Sequence, residues 1–186
     1  MEDEKIIELY FARSEAAITE TSAKYGAFFH RISRNILTSE QDAEECVNDT
    51  YLKAWNSIPP KHPERLPAYL GRIVRNLSLN RWNKLNAAKR GAGEVPLALD
   101  ELEECIPAAE TVQREADRKE LSGALNRFLR ELGEEKRNVF LRRYWYLVPV
   151  KDIAEQLGMT ESKVKSMLLR TRSQLRAFLE KEDITI

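Results

Sequence analysis

Apolar residues recur at helical spacing through most of this chain, and nowhere do they alternate with polar ones as a half-buried strand demands. Ile18, Tyr25, Phe28, Phe29, Ile32 and Ile36 share one side of a long predicted helix, with Ser14 as its candidate N-cap. A second helix repeats at Ala43, Cys46, Val47, Thr50, Tyr51, Ala54, Trp55 and Ile58. It is introduced by Ser39-Glu40-Gln41-Asp42, a near capping box with Asp where Glu or Gln is usual. The prolines of Pro59-Pro60-Lys61-His62-Pro63 impose a non-helical loop. Pro67 then suits the first turn of a third helix running to about Lys89, with Leu66, Leu70, Ile73 and Leu77 inward. Residues 1–90 thus read as a helical bundle.

Residues 91–117 open with glycines, contain Pro96 and Pro107, and lack sustained helical spacing, so they read as a flexible linker. Beyond it, Leu121, Ala124, Leu125, Phe128, Leu129 and Leu132 mark an amphipathic helix ending near Gly133. Another spans about Glu134 to Tyr146, with Val139, Phe140 and Tyr144 inward and Pro149 at its end. The short segment Val150–Leu157, a turn led by Gly158, and a basic helix from Glu161 to about Lys181 make a helix-turn-helix pattern over 118–186. Thr160 is its natural N-cap, and Glu161 suits the positive end of the helix dipole. The predicted fold is all-α: two small helical domains joined by an irregular acidic linker, the second a helix-turn-helix domain.

Charge sharpens this picture. The chain carries 30 basic and 30 acidic side chains, yet they are segregated. Residues 1–60 hold 6 basic against 11 acidic groups; residues 61–90 hold 8 basic groups against Glu64 alone. The linker sets eight acids against Arg114, and residues 118–186 return to 15 basic against 10 acidic. Two basic blocks separated by an acidic one point to two polyanion-facing surfaces.

Other classes fall away. No apolar stretch approaches the ~20 residues of a spanning helix, and the acidic N-terminus does not resemble a signal peptide. Two cysteines and two histidines supply neither a disulfide framework nor spaced zinc ligands. Adjacent carboxylates such as Glu44 and Glu45 face different ways on a helix, and no glycine-rich phosphate loop exists. The expectation is a cytoplasmic protein with no catalytic residues, metal or cofactor, and no insertion into a membrane.

On the final helix, Val164, Leu168, Thr171, Leu175 and Phe178 fall inward at 100° per residue. Ser162, Lys165, Ser166, Leu169, Arg170, Ser173 and Arg176 fall outward. Lysine and arginine neutralise phosphates, and small serines near a helix start let the backbone approach base edges. On the helix from Pro67, Arg72, Arg75, Leu79 and Trp82 gather opposite the core side, as a surface for backbone phosphates and unpaired bases would. Trp82 either stacks on bases or packs on a neighbouring helix. The proline-rich loop 59–66 has the rigidity to frame a pocket for an extruded base.

Three stretches, in order, resemble one family. Asp42-Ala43-Glu44-Glu45-Cys46-Val47-Asn48-Asp49-Thr50-Tyr51-Leu52-Lys53-Ala54-Trp55 resembles the polymerase-binding helix of extracytoplasmic-function sigma factors, small bacterial promoter-recognition subunits. The run from Pro67 to Asn80 resembles their helix for the minus-ten promoter element. Val164-Lys165-Ser166 with Leu168, Arg170, Arg172 and Leu175 resembles their recognition helix for the minus-thirty-five element. Asn80 stands where the family often has Asp, and Met167 where a basic residue is frequent.

The resemblance implies a subunit that binds core RNA polymerase, directs it to promoters and helps melt DNA. It implies polymerase contacts at Glu45, Asn48, Asp49 and Leu52. For the melted non-template strand of the minus-ten element it implies Lys61, His62, Arg72, Arg75, Asn76, Asn80 and Trp82. For the upstream duplex it implies Ser162, Lys163, Lys165, Ser166, Leu169 and Arg170. It further implies that the acidic linker sits in a positively lined polymerase channel, and that an anti-sigma factor is a partner. A stand-alone helix-turn-helix regulator is the competing reading, but it leaves the first basic block and the carboxylate-rich helix 40–57 without a role. Co-purification with core polymerase separates the two.

Overall fold

The computed structural model describes residues 1–86, 94–103, 115–182 and 184. These residues are helical or in turns and loops, and they divide into two compact units, Met1–Gly91 and Ala92–Ile186. No helix among them is long and apolar enough to cross a membrane.

The first unit holds α1 (Asp3–Phe11), α2 (Ala16–Ile36), α3 (Glu40–Ser57) and α4 (Leu66–Asn86). Helix α1 has no counterpart in the sequence reading. It seats Ile6, Ile7 and Tyr10 in the core, each such burial stabilising by about 1.5–3 kcal/mol. Tyr10 and Thr21 share a buried 2.9 Å hydroxyl bond. Helices α2, α3 and α4 pack against one another around Phe29, Ile32, Val47, Leu70 and Val74. Ser33 and Ser78 meet inside this packing at 2.9 Å, so two small polar groups satisfy each other where the helices come close.

Local signals place most of the ends. Ser39 caps α3 by accepting from the Asp42 amide at 3.2 Å. Ser14 does not cap α2: the helix starts at Ala16, its N-cap is Glu15, and no side chain bonds the free amides. The Ser14 carbonyl instead accepts from Ala17. On α4 the core stripe runs Leu66, Leu70, Val74, Ser78, whereas Ile73 and Leu77 are half-buried. Arg75, Leu79 and Trp82 lie half-buried beside that stripe and do not share an exposed face with Arg72.

The second unit holds α5 (Glu94–Glu103), α6 (Glu115–Glu131), α7 (Glu134–Phe140), a π-helical turn (Leu141–Trp145), α8 (Val150–Leu157) and α9 (Glu161–Lys181). Helix α5 lies inside the stretch read as irregular and packs on the π turn with Ala98 fully buried. Residues 91–93 and 104–114 of that stretch lie outside the described residues. The single helix expected over Glu134–Tyr146 is α7 followed by the π turn, which redirects Arg143 and Tyr144 into the core. Gly158 takes φ +62°, ψ 35°, the left-handed conformation that ends α8 and aims the chain into α9. Thr160 accepts from the Lys163 amide at 3.2 Å and caps α9. The buried stripe of α9 is Val164, Leu168, Thr171, Leu175 and Leu179; Phe178 is half-buried against the Phe128 ring.

Candidate polymerase and nucleic-acid interfaces

Burying one face of α3 forces the other outward. Glu45, Asn48, Asp49 and Leu52 are all exposed, Leu52 at 58% despite being a large apolar residue. They lie at i, i+3, i+4 and i+7, one continuous ridge. Glu45 is not a bare charge: Arg81 of α4 lies 2.8 Å from its Oε2 and donates to Asp42 at 2.5 and 3.0 Å. Bonding to Glu45 first, then to Asp42, holds the Arg81 guanidinium well above its ordinary pKa. Arg81 thus ties the candidate polymerase ridge to the candidate DNA helix, and the sequence reading gave it no role.

On α4, Arg72, Asn76 and Asn80 recur every fourth residue and are exposed, forming a polar line along the helix. Arg75 and Trp82 stand off this line. Arg75 is half-buried, and that burial lowers its pKa. The loop before α4 is pinned from two sides. Lys61 Nζ sits 6.0 Å from the Tyr69 ring centre, and the Arg72 guanidinium sits 5.8 Å from the same ring. Tyr69 donates its hydroxyl to Ser57 at 2.9 Å, fixing the ring against the end of α3. His62 is exposed, 3.3 Å from Glu4 and beside the Phe11 ring of α1. The structure therefore brings Lys61 and Arg72 together through Tyr69 and turns His62 toward α1.

On α9, Ser162, Lys163, Lys165, Ser166, Leu169 and Arg170 are all exposed, Leu169 at 58%. Lys163 pairs with Glu135 of α7 at 3.0 Å, and Lys165 with Glu161 one turn earlier at 3.5 Å. Both pairs are solvent-exposed and weak enough to exchange for a phosphate. Arg176 pairs with Glu180, leaving the middle of the face to Ser166, Leu169 and Arg170.

Behind α9 lies a cluster built on residues far apart in sequence. Glu101 of α5 accepts from Tyr144 at 2.8 Å and from Arg172 of α9 at 3.2 Å through Oε2. Its Oε1 accepts from Arg143 at 3.3 Å, and Arg172 also donates to the Tyr144 oxygen at 2.7 Å. Arg143 is wholly buried. Burial, then the neighbouring Glu101 carboxylate, push the Tyr144 phenol above its ordinary pKa of 10 despite the opposing Arg172, so it remains a donor.

The sequence is similar to known proteins over both units. Residues 22–88 match the family description "Sigma-70 region 2" and residues 122–175 match "Sigma-70, region 4". An RNA polymerase sigma-E factor of Streptomyces avermitilis is 28% identical over 160 residues, 83% of this chain and 80% of that protein. The ECF RNA polymerase sigma factor SigM of Mycobacterium tuberculosis is 25% identical over 178 residues, 95% of this chain and 84% of its own length. Among solved structures, a chain of CnrH in complex with the cytosolic domain of CnrY aligns over 96% of this chain and 97% of its own, at 20% identity and TM-score 0.44. With region 2 over α2–α4 and region 4 over α6–α9, in that order, the chain belongs to the sigma-70 family as an extracytoplasmic-function sigma factor, which directs RNA polymerase to promoters.

Proposed function

We propose a division of labour among three exposed helix faces. The α3 ridge of Glu45, Asn48, Asp49 and Leu52 docks on a basic surface of core polymerase, with Leu52 as its apolar centre. Lys61, Arg72, Asn76 and Asn80, flanked by His62, Arg75 and Trp82, hold the unpaired non-template strand of the minus-ten element and so favour melting. Helix α9 enters the major groove of the upstream element. There Ser162, Lys163 and Ser166 meet base edges, Lys165 and Arg170 meet phosphates, and Leu169 meets a thymine methyl.

The observation that carries this reading is the α9 face. Six outward positions between 162 and 170 carry small polar, cationic or apolar contact groups, on a helix whose start is fixed by Gly158 and Thr160. The chain acts in the cytoplasm and does no catalysis of its own. An anti-sigma factor covering the same faces would silence it, and the exposed Leu52 and Leu169 suit such a cover. The domains are the two compact units, Met1–Gly91 and Ala92–Ile186, and the acids of 91–117 other than Glu101 favour a positively lined channel of the polymerase.

A promoter-library selection with core polymerase tests this. Lys165→Ala should weaken all sequences alike and lower the salt slope by about one unit. Lys163→Ala and Ser166→Ala should change which upstream bases are tolerated, by about 1–3 kcal/mol per lost contact. Unchanged upstream preference in the latter two would leave α9 a positioning element only.

A further inference from the structure

Glu101 lies outside the residues matched to region 2 or region 4. Even so, both its carboxylate oxygens are spent on the helix-turn-helix unit: one on Arg143, the other on Tyr144 and Arg172. We propose that Glu101 is a positioning residue for promoter reading: by holding Arg172 it sets the rotation of α9 about its own axis, and so the aim of the upstream-reading side chains. The inference rests on α9 being the reading helix.

The apolar stripe of α9 leaves that rotation loosely defined. Val164, Leu168, Leu175 and Leu179 are driven inward by a force that has no direction of its own. The bonds to Arg172 are directional and charge-assisted. Arg172 follows Lys165 by seven residues, so it projects only about 20° away from it around the helix. It therefore sits on the border between the packed and exposed faces, where a fixed point controls rotation best. Recognition geometry tolerates errors of about 0.5 Å and 10–20°, so a helix free to roll would blur base readout while still binding phosphates. Tyr144 completes the clamp, because its hydroxyl receives Arg172 and donates to Glu101.

Glu101 has a second task that must be separated from the first. Arg143 is wholly buried, and removing the Glu101 carboxylate takes a bonded anion away from a buried cation. Replacing Arg143 with methionine in the same variant removes that cost, while Arg172 still loses its bond to the Glu101 carboxylate.

The experiment uses core polymerase with the full chain on two promoters, one with its matched upstream element and one with that element scrambled. The ratio of their transcripts is the readout. Wild type must itself prefer the matched promoter; if it does not, the reading of α9 fails and Glu101 is not the cause. Given that preference, Glu101→Gln combined with Arg143→Met should lower the ratio at least fivefold. Arg172→Lys, which keeps the charge but loses the planar fork, should do the same. Affinity for core polymerase, and permanganate reactivity of the downstream element on the scrambled promoter, should stay at wild-type levels. A wild-type ratio in the folded double variant would overturn the proposal. So would loss of helical circular dichroism in both variants, which would make Glu101 a folding residue and nothing more.

Discussion

The guanidinium of Arg81 in α4 donates twice to Asp42 in α3, through Nε at 3.0 Å and Nη2 at 2.5 Å, and the same Nη2 lies 2.8 Å from Glu45. The pairing joins the first turn of α3 to the last turns of α4. Arg81→Ala and Asp42→Asn should each lower the melting temperature of the first unit. Because both remove one network, the double substitution should cost less than the sum of the singles. Additive losses in a double-mutant cycle would mean that the pair is not coupled.

The α3 ridge makes a cleaner test of polymerase docking. Asp49 is exposed, so Asp49→Lys should leave the helical circular dichroism and melting temperature unchanged. It should weaken binding to core polymerase by roughly tenfold, as reversing a charge against a complementary surface does. Equal affinity in titrations of labelled core would remove Asp49 from the interface.

On α4 the exposed line matters more than the half-buried positions. Arg72→Ala with Asn80→Ala should reduce permanganate reactivity of the melted promoter several-fold while sparing binding to the closed duplex. Arg75→Ala should act mainly on stability, since its side chain is half-buried. The opposite pattern would return strand capture to Arg75.

The turn into α9 sets the stability of the reading unit. Gly158→Ala places a side chain at φ +62° and should cost about 1–2 kcal/mol, read as a lower denaturation midpoint. A Cβ there meets nothing within 4 Å, so the cost is conformational and not steric crowding. Thr160→Ala should cost a further ~1 kcal/mol by removing the cap.

Acid should release α1. Burial tends to raise the Asp3 carboxyl, but hydrogen bonds from Lys24 and Tyr25 outweigh it and hold the carboxyl below its ordinary 3.8. A depressed carboxylate contributes stability that is present above pH 3.8 and is lost as pH falls through the folded value. Amide exchange in α1 should accelerate in that range for wild type. In Asp3→Asn it should already be faster at neutral pH and change little with acid.

What the sequence revealed and what it hid follow from the range of the forces involved. Helices α2, α3, α8 and α9 were legible because apolar spacing and caps such as Ser39 and Thr160 are local. The outward positions of α9 followed from the same spacing, since a buried stripe leaves the other side in water. Helix α1 is only nine residues long, too brief for a convincing repeat. The core line of α4 was misread because it passes through Ser78, whose buried hydroxyl donates to the Val74 carbonyl and meets the Ser33 hydroxyl of α2. The clamp at Glu101 joins residues 42, 43 and 71 positions apart, and such pairings leave no periodic trace. The one-residue excess that turns the end of α7 into a π turn is equally silent in a hydropathy pattern, yet it delivers both Arg143 and Tyr144 to the clamp.

Run-off transcription tests the whole account most directly: core polymerase, with and without this chain, on fragments of the genome that encodes it. The account predicts discrete transcripts that need the chain, with starts sharing two upstream sequence elements, and loss of the shared upstream element among transcripts made by Ser166→Ala with Lys163→Ala. Transcripts no different from core polymerase alone, or discrete transcripts whose shared elements survive in that variant, would contradict it.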